Sequence, residues 1–557
     1  TADGHNVMHN GKAVALQTIE EVILLPHGKS LTYQVQVVPH HGPIIPTIKD
    51  GKVVAPAAGE EVLSVRWTGH EVTHDLAAVF QLMRATNVSE ARAALNAYGA
   101  GAQNWMLADT AGNIGWTSHA LVPIRKSGAL NWNSDSYSGR LPCLVLPGDG
   151  SADWSGYWPS QRVPWAENPL VGYLATANHD PVGLTFDNDP SNDTWPDGTS
   201  AYLSCRFAAG YRQARIKQRI EQLGTGITLD DMSILQGDVH SPLGEAMLPA
   251  LLLAMDNAIQ HVDGSASYPD LSAVVSDPVY RQDRIIALRN TLRFWRDGYR
   301  YFAASGMDPD TNAVTTLDQP EVVPAQATLL FNIWLVRLLR RTFGDELTRT
   351  GRPLGHDVEL VAMLHLLSSD PASLATYDPA TGDSALWDDL DTSAIESRQE
   401  RMLRALLDAL TWLDNNVEKG IDWWRWGQFH TIRFAPLVPL WGPLNIPPQS
   451  GAFANGFPRP GDLLAVDSAN YDYTRALDQS PAFGYSSGPT QRFVIEMAPG
   501  HVRVHNALPG GAVADPKSPY FSNQAEEWRR NAVHEVPFYL SDVIAAAAAR
   551  TVLYSVH

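Results

Sequence analysis

Apolar and polar positions alternate along much of the first 125 residues, and this pattern predicts half-buried β-strands. Asn10-Gly11 lies between two such runs and predicts a tight hairpin turn. Between residues 76 and 98 a helical period replaces the alternation, and a break at 87–90 divides it into two helices, the second with a Ser cap. The predicted strands and strand–turn–strand units lie at 15–25, 31–39, 61–67 and 104–116, the last with its turn at 109–113.

Farther along the chain, from about residue 228 to 420, apolar residues recur with the spacing of amphipathic helices. One helix is predicted at 207–223, before this segment. Within the segment the predicted helices lie at 229–236, 242–258, 283–302, 327–343, 358–367 and 395–413. A buried strand is predicted at 493–497, a weaker one at 502–504, and a closing helix at 536–553. We therefore expect a β-rich part (1–223), a helical insertion (224–420) and a C-terminal β part with its helix (421–557).

One stretch, residues 171–193, joins an apolar run to an acidic, Asn-rich loop. The run at 171–174 predicts a strand that ends by presenting the amide side chain of Asn178, a common way to place a hydrogen-bond donor in a site. The same pattern also fits a strand followed by an ordinary Asx turn. The loop supplies oxygen ligands that suit Ca²⁺ but lacks the spacing of an EF-hand, and its candidate ligands are Asp187, Asp189 and Asp193.

Composition narrows the possible classes of protein. A chain of 557 residues is too long for one simple hydrophobic core and indicates two or more units, or one large domain with insertions. The formal net charge of −19 argues against binding to nucleic acid or to anionic membrane surfaces. The longest apolar runs are too short to span a bilayer, and the N-terminus lacks the pattern of a signal peptide, so we expect a cytosolic protein or a processed chain. Cys143 and Cys205 fit either a disulfide or two buried thiols, and no Cys/His set has the spacing of a zinc site.

The segment Gly484-Tyr485-Ser486-Ser487-Gly488 matches the G-x-S-x-G motif of serine esterases. That motif requires a buried strand before the Ser and a helix after it. Here a Ser-Pro segment precedes it and a predicted strand follows, so the pattern favours a glycine-rich turn before a strand. A serine esterase that uses Ser486 remains an alternative function.

Several longer motifs, taken in order, resemble the β-subunit of the penicillin acylases. They are NWMLADTAGNIGW, GYLATANHDP, GYRQARI, LQGDVHSPLGEAMLP, WGQFHTIRF, SSGPTQRFVIEM and LPGGAVADPKSPYFSNQAEEW. The resemblance runs from about Asn10 to the C-terminus, and the family also includes cephalosporin acylases and acyl-homoserine-lactone acylases.

The resemblance implies an α+β fold, the αββα four-layer sandwich of N-terminal-nucleophile hydrolases with a large helical insertion. It implies an amidohydrolase in which an N-terminal Ser attacks a linear amide with its own α-amino group as base, and an acyl-enzyme forms. The matching oxyanion donor is Asn178, and Arg212 matches the Arg that holds the active-site hydrogen-bond network. No cofactor is implied for the chemistry, whereas structural Ca²⁺ and export to the periplasm or medium are. Export would allow a Cys143–Cys205 bridge, and the resemblance does not decide between this bridge and two thiols.

One departure from the family pattern concerns the nucleophile. The family's catalytic chain begins with Ser several tens of residues before the part that matches Asn10. We therefore expect this chain to be a fragment, and the rest of β is cleaved off, lies on another chain or is outside this numbering. The expected partners are an α-subunit and an N-terminal β fragment that carries the Ser. Thr1 is an unlikely nucleophile because residues 1–5 read as a loop well past the nucleophile strand. A second alternative is a relative that binds acyl compounds without hydrolysing them.

Overall fold

The computed structural model describes residues 1–54, 56–351, 355, 358–417, 420–438, 441–480 and 482–554. The chain forms two compact units. The first consists of Thr1–Phe207 with Met497–His501, and the second of Ala208–Glu496 with Val502–His557. The structure thus divides the chain near residue 207, and it groups the helical segment and the C-terminal part into one unit.

The first unit consists of short strands, long loops and two helices. The helices are α1 (Asp75–Leu82) and α2 (Val88–Leu95). The strands are β1 (Asn6–His9), β2 (Lys12–Ala15), β3 (Gln17–Leu25), β4 (Lys29–Val38), β5 (Gly42–Pro43), β6 (Thr47–Lys49), β7 (Lys52–Val54), β8 (Trp105–Ala108), β9 (Ile114–Thr117), β10 (Pro123–Arg125), β11 (Trp154–Tyr157) and β12 (Trp165–Glu167).

The hairpins of this unit follow the sequence pattern closely. β1 pairs with β2 around Asn10 and Gly11, and both turn residues have the positive φ that such a turn requires (49° and 73°). β3 pairs with β4 over nine positions, from Gln17–Val37 to Leu25–Lys29. β8 and β9 form the predicted hairpin, to which β12 adds a third strand. The predicted hairpins are confirmed.

Two strand predictions in the first unit are wrong. Residues 61–67 form only an isolated bridge, between Ser64 and Ile44, because Pro43 and Pro46 flank the partner segment and lack the N–H groups that a longer ladder needs. Residues 171–174 form no strand, since Gly172 has a φ of 80°, which is incompatible with extended backbone. The cap of α2 also differs, because the side chain of Asn87, rather than a Ser, accepts the Glu90 N–H.

The second unit is built mainly from helices. These are α3 (Tyr211–Leu223), α4 (Leu229–Gln236), α5 (Pro242–Asp263), α6 (Ser272–Val275), α7 (Gln282–Tyr299), α8 (Val322–Thr350), α9 (Val358–Ser368), α10 (Arg398–Asn416), α11 (Asn523–Arg529) and α12 (Leu540–Ala546). The predicted helices at 207–223, 229–236, 242–258, 283–302, 327–343, 358–367 and 395–413 are confirmed, with ends shifted by a few residues. The closing helix is shorter than predicted, because α12 buries none of its side chains and so lacks the packing that would extend it.

Short strands accompany these helices and form two- and three-stranded antiparallel sheets. They are β13 (Tyr377–Asp378), β14 (Asp383–Ser384), β15 (Thr431–Ile432), β16 (Phe457–Pro458), β17 (Asn470–Tyr471), β18 (Tyr485–Ser487), β19 (Arg492–Ala498), β20 (His501–Ala507) and β21 (His534–Val536). The two strands predicted near 493 and 502 are confirmed as β19 and β20.

A large hydrophobic core occupies the second unit, where α5, α7, α8 and α10 meet, and a smaller cluster of the same unit surrounds Trp528. α8 lies at the centre of the large core and is buried along most of its length. Among the described helices, α8 alone combines the length and the apolar composition of a membrane span, but 89% of its most apolar window is buried inside the protein. Its hydrophobicity is therefore explained by its place in the core.

Candidate active site

Asn178 lies on the surface of the first unit, in the loop that follows β12. Its backbone has a φ of 64°, the left-handed region that Asn tolerates better than other residues with a side chain. The preceding residue, Ala177, is 8% exposed and anchors the turn in the unit's interior. The turn therefore exposes one amide side chain beside a buried neighbour, without the strand that the sequence predicts.

Asp180 fixes this turn from inside. It is 6% exposed, and its carboxylate accepts hydrogen bonds from the backbone N–H groups of Val182, Gly183 and Thr185 and from the Thr185 hydroxyl, at 2.8–3.1 Å. Burial alone would raise the pKa of Asp180, but these hydrogen bonds outweigh it and hold the pKa below its usual value. A charged, fully bonded carboxylate thus holds the loop two residues after Asn178.

The acidic part of the loop uses its carboxylates for internal turns. Asp187 accepts from the Asn192 side chain (2.6 Å) and from the backbone N–H of Asp189 (3.0 Å). Asp189 accepts from the backbone N–H and the hydroxyl of Ser191 (2.9 and 2.6 Å). In the described part of the chain, no three Asp, Glu, His or Cys side chains converge on a point that could hold a metal ion, and this includes Asp193. Calcium binding stays a prediction.

A disulfide and an aromatic pair close the same region of the first unit. Cys143 and Cys205 are bonded, with their Cα atoms 6.3 Å apart, so of the two alternatives that the sequence leaves open the structure shows the disulfide. Trp158 and Trp195 pack edge to face with ring centroids 5.5 Å apart. Arg162 lies over the Trp195 ring, at 5.3 Å from its centroid. The loop that carries Asn178 is therefore tied to the rest of its unit by covalent and aromatic contacts.

Arg212 belongs to the second unit, whereas Asn178 belongs to the first. It is the second residue of α3, which begins directly after Gly210 (φ 83°), and it is half-buried. One turn later, Arg215 binds the Asp238 carboxylate at 2.8–3.2 Å, and Arg219 lies 3.4 Å from the same group. These ion pairs fix the orientation of the helix that carries Arg212.

The motifs around Asp238 and Trp426 have structural roles in this unit. In the first, Ser241 caps α5 and donates to the buried Asp462 carboxylate (2.6 Å). In the second, the Trp426 indole N–H donates to the Gly461 carbonyl (2.7 Å). His430 is fully buried and donates from Nδ1 to the Phe483 carbonyl (2.8 Å), and burial lowers its pKa to about 4. A neutral, packed His of this kind is part of the core.

The two candidate nucleophiles, Ser486 and Thr1, lie in a strand and in a turn. Ser486 is an exposed residue of β18, which pairs with β17, and its hydroxyl donates to the Asn470 carbonyl (3.2 Å). The strand–turn–helix of a nucleophile elbow is not formed there, since β19 follows. Thr1 lies in a turn, where its amino group donates to the Asn6 carbonyl (2.8 Å) and its hydroxyl contacts Asp3.

Two residues that organise these segments were not singled out as site residues from the sequence, namely Asp180 and Asp238. Asp180 precedes Pro181 and a Gly at 183, and this Asp-Pro-x-Gly order is a signal for an Asx turn. Asp238 has no comparable local signal, because its partners Arg215 and Arg219 lie about twenty residues earlier in the chain.

Comparison with known proteins agrees with the resemblance. The chain is 25% identical over 533 residues to "Acyl-homoserine lactone acylase QuiP" of Pseudomonas syringae pv. syringae, covering 95% of this chain and 55% of that protein. It is 26% identical over 440 residues to "Penicillin G acylase" of Escherichia coli, covering 75% of this chain and 42% of that protein. The chain thus spans about half the length of the curated relatives it matches.

Among solved structures, thermostable penicillin G acylase from Alcaligenes faecalis superposes with a TM-score of 0.57 at 18% identity, covering 99% of this chain and 84% of that one. This match confirms the predicted fold class, the N-terminal-nucleophile hydrolase fold with mixed helices and sheets. The family model for penicillin amidase matches residues 1–545, and the chain belongs to the penicillin amidase family.

Proposed function

We propose that this chain is the larger part of an acylase that hydrolyses a linear amide and releases a carboxylic acid. The observation that carries the proposal is Asn178, an exposed amide on a loop fixed by the buried Asp180, in a chain that matches the penicillin amidase family over residues 1–545. A neutral amide side chain donates a hydrogen bond to a developing oxyanion without adding a charge beside the nucleophile.

In the proposed reaction, the hydroxyl of an N-terminal Ser attacks the carbonyl carbon, and the Ser α-amino group accepts the hydroxyl proton. That amino group suits the task because its unperturbed pKa is about 8. The side-chain N–H of Asn178 stabilises the oxyanion, the C–N bond breaks, and the leaving amine takes up the proton. Water then attacks the acyl-enzyme, the acid leaves, and the Ser is restored.

The nucleophile enters this proposal from a partner, an N-terminal β fragment together with an α-subunit. Arg212 enters as a positioning residue that orders the active-site hydrogen bonds. The Cys143–Cys205 disulfide supports export, because disulfides persist in oxidising compartments, and we propose a periplasmic or secreted enzyme.

For the substrate we propose N-acyl-homoserine lactones first and penicillins second. The support is the extent of the matches, since the relative named for the lactones aligns with 95% of this chain and the relative named for penicillin G with 75%.

The substitution Asn178→Gly, made in the complete protein, tests the oxyanion role. Gly tolerates the left-handed backbone at this position, so the substitution removes the amide without adding strain. We expect kcat to fall by roughly 10²–10³, the usual cost of a lost oxyanion donor. Product release from an N-acyl-homoserine lactone and from penicillin G measures the effect.

The matched control is Asn188→Gly. Asn188 is also exposed, has a φ of 66°, and lies ten residues farther along the same loop. Its substitution should leave kcat within about twofold of the wild type, the scatter expected when no donor to the oxyanion is lost. Near-normal turnover by Asn178→Gly would refute the oxyanion assignment, and a wild-type protein without hydrolytic activity would favour a relative that only binds acyl compounds.

A further inference from the structure

A groove of about 710 Å³ lies in the helical part of the second unit, bordered by α5 and the first turns of α10. This volume falls in the range of small-molecule sites. All the residues that line the groove belong to the second unit, and they come from α5, α9, α10 and the segment that joins α9 to α10. It contains neither Asn178 nor Arg212.

One wall of the groove is apolar. α5 contributes Ala246, Pro249, Ala250 and Leu253, whose spacing places them on a single face of the helix. Leu253 is 58% exposed, although the adjacent Leu252 and Ala254 are buried in the core. An apolar face with an exposed Leu at its rim suits the hydrocarbon part of a ligand.

Two other residues that line the groove carry hydrogen-bond donors for which the described residues offer no acceptor. The indole N–H of Trp387 and the Nε–H of Arg398 are both buried, and neither has a hydrogen-bond partner among the described residues. The two groups are neighbours, because the Arg398 guanidinium lies 5.5 Å from the centroid of the Trp387 ring. Buried donors normally find a partner, so two adjacent unpaired donors beside a groove need an explanation.

The carboxylates around the groove are already bonded to other groups. Asp383 accepts from Arg398 Nη2 (2.7 Å) and from the backbone N–H of Ser384 (2.7 Å). Glu396 accepts from the backbone N–H of Asp389 and from the Thr392 hydroxyl, both at 2.8 Å. The lining therefore holds two carboxylates and one guanidinium, a formal charge of −1, which disfavours an anionic ligand.

We propose that this groove is an accessory binding site for a small, uncharged ligand with a carbonyl oxygen and an apolar chain, such as an amide, a lactam or an ester. The carbonyl oxygen accepts hydrogen bonds from Trp387 and Arg398, and the chain lies against the apolar face of α5. The inference does not depend on the proposed function.

The test uses N-octyl-2-pyrrolidone, a neutral lactam that is not a linear amide, with the complete protein. Its binding is followed through the indole N–H signals of ¹⁵N-labelled protein, and the Trp387 signal is identified by its absence in Trp387→Phe. We expect this signal to shift on titration. Trp387→Phe should weaken binding by about tenfold, the usual effect of losing one hydrogen bond of this kind. Octanoate, which carries the same chain on an anion, should bind at least about tenfold more weakly than the lactam.

Two further variants keep the test decisive. Leu253→Asp changes an exposed residue, so the fold should survive, and it should weaken lactam binding by about tenfold because a charge replaces apolar contact. Trp424→Phe is the matched control, since the Trp424 indole N–H is also buried and has no partner in the part of the chain that the structure describes, but Trp424 borders a different groove. The Trp424→Phe variant should bind the lactam with the same affinity as the wild type. An unmoved Trp387 signal, equal binding by Leu253→Asp, or octanoate binding as tight as the lactam would overturn the proposal.

Discussion

The helical part of the second unit buries its apolar side chains in one continuous core, whereas the β3–β4 hairpin of the first unit leaves many of its own exposed. In the hairpin, Ile19 and Ile23 are each 48% exposed and Leu31 is 55% exposed. In the core, Trp295 and Trp334 are fully buried. The two units therefore depend on different sources of stability.

The first unit relies on local and covalent interactions. Asp109 accepts hydrogen bonds from Asn113 and from the first N–H of α2, and so joins a hairpin turn to a helix. Asp180 fixes the turn that follows Asn178 by accepting from nearby backbone N–H groups, and the Cys143–Cys205 bond closes a long segment. Such contacts fix individual loops but bury little apolar surface.

The second unit relies on burial, and it even encloses charged groups. Asp467 lies between Arg459 and Arg492, and all three are at most 2% exposed. Both guanidinium groups stack on the Trp528 ring at 4.9 Å from its centroid. Buried ions are tolerated because each has a partner, so the arrangement is sensitive to loss of any member.

The largest expected effect follows from Asp467→Ala. The substitution leaves two buried guanidinium groups without their carboxylate, so the free energy of unfolding should fall by about 3–5 kcal/mol. Urea unfolding measures the change. The comparison is Asp197→Ala in the first unit, which removes the exposed partner of Arg162 and should hardly move the unfolding midpoint. Similar losses in both variants would contradict the contrast between the units.

The next effect concerns pH and the core residue Asp462. Burial raises its pKa to about 7, and its carboxyl accepts from Ser241 and Asn332. In the unfolded chain this group ionises near pH 4, so between about pH 4 and pH 7 the folded state holds a proton that the unfolded state has lost. The free energy of unfolding contributed by Asp462 therefore falls as the pH rises through this window.

Asp462→Asn removes this dependence, because an amide does not ionise. The stability of the variant relative to the wild type should increase from pH 4 to pH 8 by an amount on the order of 4 kcal/mol. Urea unfolding of both proteins at the two pH values measures it. Parallel pH profiles for the two proteins would show that the Asp462 carboxyl is not buried as described.

The smallest of the three effects concerns the covalent link of the first unit. Cys143 and Cys205 are 62 positions apart, and opening a loop of this size by the double substitution to Ser should cost about 3 kcal/mol. Trypsin cleavage of the 143–205 segment should accelerate while the helical core stays resistant. Dithiothreitol should reproduce the effect in the wild type and change nothing in the double variant. Equal protection of this segment in both proteins would contradict the covalent role.

The sequence determined those features that depend on neighbouring residues. The spacing of apolar positions predicted α3 to α5 and α7 to α10, and Asn10-Gly11 predicted the first hairpin, because helical and turn hydrogen bonds join residues a few positions apart. The order of motifs likewise identified the family, the fold and Asn178 as the candidate oxyanion donor.

The tertiary structure alone decided how distant residues meet. It placed Asp467 between two Arg residues and Asp462 beside Ser241, which is 221 positions away in the chain. It also replaced the predicted strand before Asn178 by a loop fixed from within by Asp180. Local patterns do not contain this information, because whether a charged side chain is buried, and which partner it finds there, depends on how the whole unit packs.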